Sequence, residues 1–416
     1  MREEHIIDAL NLLDTDIIEE TDAIRSNPIR SKPERIRKHT WKWVAAASTL
    51  TAACLAMVIY AGNRHLPQEP ANTVKQEENL PMLIIAENTS DDMGFEGYRA
   101  YDISELVNNN PWGWEEQPTT LPVYKNQLSV DENFHLVGAD FGKMRELLDE
   151  IAERFGLDTN TLQITDDTPD EETRQEITAK LDGDVPDGYF DPTKLIAKAE
   201  GIEITVFQDM SVTVEFEHAI SLPKKYNFSY SASYEETTEV AKYLQKKYSD
   251  FIHMENPQIN IYDGHYDYDL QRNYQISFFD AGKNITEAII NYNFNWVGFY
   301  CDDDGKLCLT STRQPDLSQK IGNYPIITEG EAKDLLLKGN CITTVPYGLP
   351  EENYIAKTEL VYRTGSREQY FMPYYRFYVE LPEEESDGMK TYGAYYVPAV
   401  EEKYISNMPL WDGSFD

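Results

Sequence analysis

This 416-residue chain has little of what a metal site, a redox couple or a common nucleophile requires. It holds four cysteines and seven histidines. There is no Cys-x-x-Cys pair. None of His5, His39, His65, His135, His218, His253 and His265 has a second His or Cys at ligand spacing, so no Cys/His zinc pattern exists. His-Glu-x-x-His, Gly-x-Ser-x-Gly, Gly-x-Gly-x-x-Gly and Gly-x-x-x-x-Gly-Lys are absent, and the metalloprotease, serine-hydrolase, dinucleotide and phosphate-loop readings lose their motifs with them. Basic residues are scarce: 37 Lys and Arg stand against 73 Asp and Glu, a net charge of −36. Such a chain repels nucleic acid and suits cations or a basic partner. Long uncharged runs are scarce too, and Val44 to Ala61 is the one that matters.

That run predicts a transmembrane helix over residues 43–62. Eighteen residues make a helix of about 27 Å, close to the roughly 30 Å of a hydrocarbon core. Arg25, Arg30, Lys32, Arg35, Arg37, Lys38 and Lys42 precede it, and Trp41, Trp43 and Tyr60 sit at its ends. This asymmetry predicts a single-pass membrane protein with a cytoplasmic N-terminus and an extracellular C-terminus. A cleaved signal peptide, a lipoprotein using Cys54 and a buried core helix are the alternatives. Residues 1–42 carry 8 basic and 9 acidic residues, which leaves 29 basic and 64 acidic residues for the remainder.

The periodicity predicts an α+β chain in six parts. Short helices near Ile6–Leu13 and Ile17–Ile24 form a cytoplasmic tail over 1–42, followed by the span at 43–62 and a linker over 63–80. Three helix-plus-antiparallel-meander units then occupy 81–222, 223–314 and 315–416. Helices are expected at Gly142–Phe155, Glu171–Leu181 and Tyr234–Tyr248, and after a capping box at Thr328 and Glu331. Strands are expected near 162–164, 202–207, 211–216, 257–263, 272–280, 284–294, 296–301, 307–312, 357–364, 369–381 and 391–400. A two-residue turn at Asp304-Gly305 would set Cys301 opposite Cys308 and make a disulfide possible. Asp263, Asp267 and Asp269 around His265 read as a solvated turn, with a calcium loop as the sharper alternative.

The clearest strand is 369–381. Phe371, Pro373, Tyr375, Phe377, Val379 and Leu381 share the core face. Tyr370, Tyr374, Arg376 and Tyr378 share the other and form the candidate binding surface, supported by the 23 of 28 tyrosines that lie at or after Tyr226. A covering helix or plain cross-strand pairing is the alternative for that face.

The stretch Ile6-Ile7-Asp8-Ala9-Leu10-Asn11-Leu12-Leu13-Asp14, with Ile17-Ile18-Glu19-Glu20 and the basic, Trp-flanked span, resembles the opening of uncharacterised single-pass membrane proteins of clostridial Firmicutes. Asp304-Gly305-Lys306-Leu307, Tyr324-Pro325-Ile326-Ile327-Thr328, Glu359-Leu360-Val361-Tyr362 and Met372-Pro373-Tyr374-Tyr375-Arg376-Phe377 are similar to PepSY-like and YycH/YycI-type ectodomains. That resemblance implies a membrane-tethered regulatory or inhibitory module and brings no catalytic residues. The N-terminal layout resembles membrane anti-sigma factors, but no cysteine precedes Cys54 and their zinc pattern is missing. The expected function is therefore a regulatory or binding module without catalytic activity. Its distal part would take a protein or envelope ligand, its N-terminal helices a cytoplasmic partner, and it would use no cofactor, no metal and no nucleic acid. An envelope hydrolase using unidentified carboxylates is the alternative.

Overall fold

Alternating apolar residues, broken by Asp, Asn and Gly, make antiparallel strands the dominant element of the described residues. The computed structural model describes residues 80–85, 94–114, 117–130, 136–137, 140–160, 162–181, 185, 188–199 and 201–411. Along the chain come β1 (Gly97–Ala100), β2 (Thr120–Lys125), β3 (Ser129–Val130), β4 (Leu136–Val137), α1 (Phe141–Arg154), β5 (Gln163–Asp166), α2 (Glu171–Lys180), β6 (Lys194–Ala199), β7 (Ile202–Phe207) and β8 (Ser211–Ile220). Then follow α3 (Tyr234–Lys247), α4 (Ser249–Ile252), β9 (Pro257–Tyr266), β10 (Arg272–Asp280), α5 (Ile285–Phe294), β11 (Trp296–Cys301), β12 (Leu307–Arg313) and β13 (Lys320–Pro325). The last are α6 (Glu329–Leu336), β14 (Ile342–Thr343), β15 (Ile355–Tyr362), β16 (Tyr370–Phe371), β17 (Pro373–Glu380) and β18 (Lys390–Pro398).

The largest sheet has eight strands in the order β5-β6-β7-β8-β12-β11-β10-β9. It is two four-stranded meanders joined through their last strands, so the order reads the same from either edge. One helix serves each meander: α1 packs on β6 and β7, and α3 on β9 and β10. Both helices cover the same face. Met144, Leu148 and Ile151 of α1 meet Val240 and Leu244 of α3 in one core with Val212, Val214, Phe278 and Phe299 of the strands. Ser233 and Glu236 form a capping box at the start of α3, and Asp140 caps α1, which settles donors that the first helical turn would leave without partners.

A second sheet runs β1-β18-β17-β15, with β14 paired to β18. Its core face, with Phe377, Val379 and Tyr395, packs against Ile289 and Phe294 of α5 and Ala332 and Leu336 of α6. A three-stranded sheet, β13-β2-β16, and a two-stranded one, β3-β4, complete the described residues.

The α+β expectation of successive helix-plus-meander units is corrected by these sheets. The described chain is mostly antiparallel β-sheet, and its units are not successive bodies. The pairing of β8 with β12 fuses residues from either side of position 223 into one sheet. β1 joins the sheet built by the end of the chain, and β2 pairs with β13. Residues 79–416 form one compact unit.

The membrane expectation is corrected as well. Among the described residues no helix is long and apolar enough to cross a membrane. The longest, α1 and α3, have 14 residues each, reach only about 21 Å and carry charged outer faces. The single-pass placement therefore has no described helix to carry it. The proposed span, the two N-terminal helices and the linker up to residue 79 lie outside the described residues.

Residues 285–294, expected as strand, form α5. Asn284 caps it by accepting from the Glu287 amide at 3.0 Å. The helix shows no apolar stripe because Ile285, Ala288, Ile289, Ile290 and Phe294 are buried around much of its circumference. The hairpin after β11 also differs. Asp302 N donates to Lys306 O at 2.8 Å, and a bulge pairs Cys301 with Leu307. Cys301, Cys308 and Cys341 are free thiols.

Candidate functional site: an arginine-lined cleft

The face of the large sheet away from α1 and α3 is polar, and strand register lays it out in rows. One row runs Phe279, Trp296, Arg313, Ser211 across β10, β11, β12 and β8. The next runs Asn260, Ser277, Gly298, Ser311, Thr213, Thr205. Asn260 Nδ2 donates to Ser277 Oγ at 3.1 Å, and Tyr262 Oη donates to Gln275 at 2.8 Å. At Gly298 a Cβ would stand 2.9 Å from the Tyr300 hydroxyl, so glycine lets that ring lie across the sheet toward Ser311.

Opposite this face stand β15, β17, β18 and the turn after β15. Between them lies a cavity of about 540 Å³ lined by Arg313, Arg363, Arg367 and Arg376, with Glu368 its only carboxylate. A second cavity of about 680 Å³ adjoins it. The two share Trp296, Arg313, Thr364, Gly365 and Ser366, and the second adds Asp140, Lys143, Asp209 and Asp316. Four guanidiniums around one small space are unexpected in a chain of net charge −36. Glu359 and Glu368 pair with two of them, so the cleft is locally less acidic than the chain as a whole.

The arginines are held differently. Arg376 pairs with Glu359 at 2.6 Å and stacks over Tyr378, while Lys357 reaches the other Glu359 oxygen at 2.7 Å. Burial disfavours the Glu359 charge, but Arg376 and Lys357 outweigh it and hold the carboxyl down to about 2. Arg363 donates to Glu368 at 2.6 Å and lies over the rings of Tyr374 and Tyr396. Burial pushes the Glu368 carboxyl up against the pull of Arg363.

Arg313 has no carboxylate on it. Its two terminal nitrogens donate to Thr364 Oγ1 at 2.6 Å and Thr364 O at 2.7 Å, and its Nε has no partner among the described residues. Burial pushes its pKa below the ordinary value, and Asp209 is the acid that opposes the shift. A half-buried guanidinium held only by a hydroxyl and a carbonyl, with its Nε shielded from water, is favoured by an anion that reaches it.

Of the four residues singled out from sequence, Arg376 lines the cleft. Tyr374 is fully buried and Tyr378 4% exposed, so neither presents a contact surface. Tyr378 donates to Glu359 at 3.2 Å and packs on Tyr98 at 5.5 Å between ring centroids. Tyr370 is half-buried beside β2, with Lys125 as its register partner. Tyr374 and Tyr378 lie beneath other chain segments, under the guanidiniums of Arg363 and Arg376. Trp296, Arg313, Arg363 and Arg367 were not singled out. The one signal for Arg313 was a basic residue ending a strand just before Gln314-Pro315. Asp263, at φ +85, contacts His265 at the end of β9, and no group of three metal-ligating side chains occurs among the described residues. No protein-family model matches this chain, and no curated protein matches it.

Proposed function

We propose that residues 79–416 form a non-catalytic binding module, regulatory or accessory in role, whose ligand carries an anionic group into the arginine-lined cleft. Arg313 carries this reading: among the described residues its guanidinium is held by Thr364 and pairs with no carboxylate. For the hydrolase alternative the cleft offers only carboxylates already engaged: Glu368 is bound by Arg363, Asp316 by Lys143, Asp209 accepts from the Ser211 amide, and Asp140 accepts from the Lys143 amide.

The test is calorimetric titration of the full chain with inorganic phosphate, sulfate and citrate. Saturable binding with a Kd of about 1 mM or tighter, lost in Arg313→Gln, is the expected result. No heat from any of the three anions with a folded protein would end the proposal.

A further inference from the structure

Cross-strand partners on one face of a sheet hold their side chains about 5 Å apart. Trp296 and Arg313 are such partners, and both line both cavities. The site thus offers a broad indole and a fork of donors side by side. Around them Asn260, Ser277, Asn293 and Tyr262 line the 540 Å³ cavity; each already bonds within the fold, as Asn293 does by donating to Ile289 O and accepting from Tyr362 N, and each keeps part of its donor and acceptor capacity. An anion alone would use the guanidinium and leave that remaining capacity unused.

We infer that the anion is carried on a sugar ring: the cleft is a site for an acidic saccharide. This rests on the anion-binding reading above. A sugar whose carboxylate or phosphate sits a bond or two from its ring places the acid on Arg313 while the C–H face of the ring lies on Trp296. Its hydroxyls then meet Asn260, Ser277 and Asn293. A planar base would want two flanking rings and few hydroxyl partners, whereas the shared wall of the cavities provides one indole. The two cavities on either side of Thr364–Ser366, of about 680 and 540 Å³, each have the size of a small-molecule site, which leaves room for more than one sugar unit.

The experiment compares D-glucuronate and glucose 6-phosphate with acetate, inorganic phosphate, glucose and uridine 5′-phosphate. Full-length protein is titrated by calorimetry. At least one sugar acid is expected to bind about tenfold tighter than its parent anion and than glucose. Trp296→Ala should remove that advantage while leaving phosphate affinity within about twofold, and Arg313→Gln should weaken sugar acids and simple anions alike, each by about tenfold or more. Circular dichroism checks both folds. Should Arg313→Gln not fold, Arg313→Lys keeps the charge without the fork and is expected to weaken the sugar acids. Equal affinity for phosphate, acetate and the sugar acids overturns the saccharide and leaves the anion site standing. Glucose binding as tightly as the sugar acids, or uridine 5′-phosphate binding tighter than all of them, also overturns it. Silence from every anion removes both this inference and the reading beneath it.

Discussion

Glu359 shows what one side chain can hold together. It is 3% exposed and sits between Arg376 and Lys357. Replacing it by glutamine leaves two cations facing each other with no counter-charge, and the expected cost is about 3–5 kcal/mol in urea unfolding. The pH dependence has a definite sign. Folding lowers this carboxyl from its ordinary 4.5 to about 2. Its stabilisation is therefore complete above about 4.5 and is lost as pH falls toward 2. Glu359→Gln should flatten the acid limb of the stability curve in that interval, and an unchanged limb would show that the pair contributes nothing there. Glu368 works in the opposite sense: its raised carboxyl makes ionisation cost stability as pH climbs past the ordinary value.

Among the elements, three consecutive asparagines join the two large sheets. Asn109 Nδ2 donates to Ile259 O at 3.0 Å, and its backbone N–H donates to Asn260 Oδ1 at 2.8 Å, both on β9. Asn108 donates to Glu359 on β15, and Asn110 donates to Leu360 O at 3.0 Å on the same strand. Asn110 also accepts from the Trp112 amide at 3.0 Å, starting a short turn of 3-10 helix at Pro111–Gly113. Since Asn110 is buried, Asn110→Ala should cost about 1–3 kcal/mol, with faster amide exchange at Trp112 as its local signature. An Asn110→Ala protein that unfolds at the wild-type denaturant midpoint would mean that this clip is redundant.

At the scale of the whole molecule, charge and topology matter most. An excess of 36 negative charges strains any compact state. The melting temperature is expected to rise as NaCl goes from about 10 to about 100 mM, where the Debye length shrinks from about 30 to about 10 Å. A flat or falling Tm would show that the repulsion is already offset locally. Much of the element content was legible in the sequence because the patterns were regular. Met144, Leu147, Leu148 and Ile151 declare α1 by their spacing, and Thr328 with Glu331 marks the start of α6. What was hidden is pairing at a distance. Nothing local in Ser211 or Arg313 says that they are register partners, and only that pairing turns two meanders into one sheet. The cleft was hidden for the same reason, since Arg313 and Arg376 acquire meaning only from strands brought in from elsewhere. Tyr374 and Tyr378 misled because alternation reports two faces but not what covers the second one.

β1 lies against β18, with Gly97 beside Gly393. A ribosome that has emitted every strand of the eight-stranded sheet has still not supplied the neighbour that β1 requires. Gly97–Ala100 must wait for its strand partner until Lys390–Pro398 has been made, and the Glu96 carboxylate, beside Tyr98 from the start, must wait as long for the Tyr396 hydroxyl that donates to it at 2.7 Å. Until β18 docks, a nascent chain lacks the Tyr396 ring that closes the 540 Å³ cavity beside Arg363.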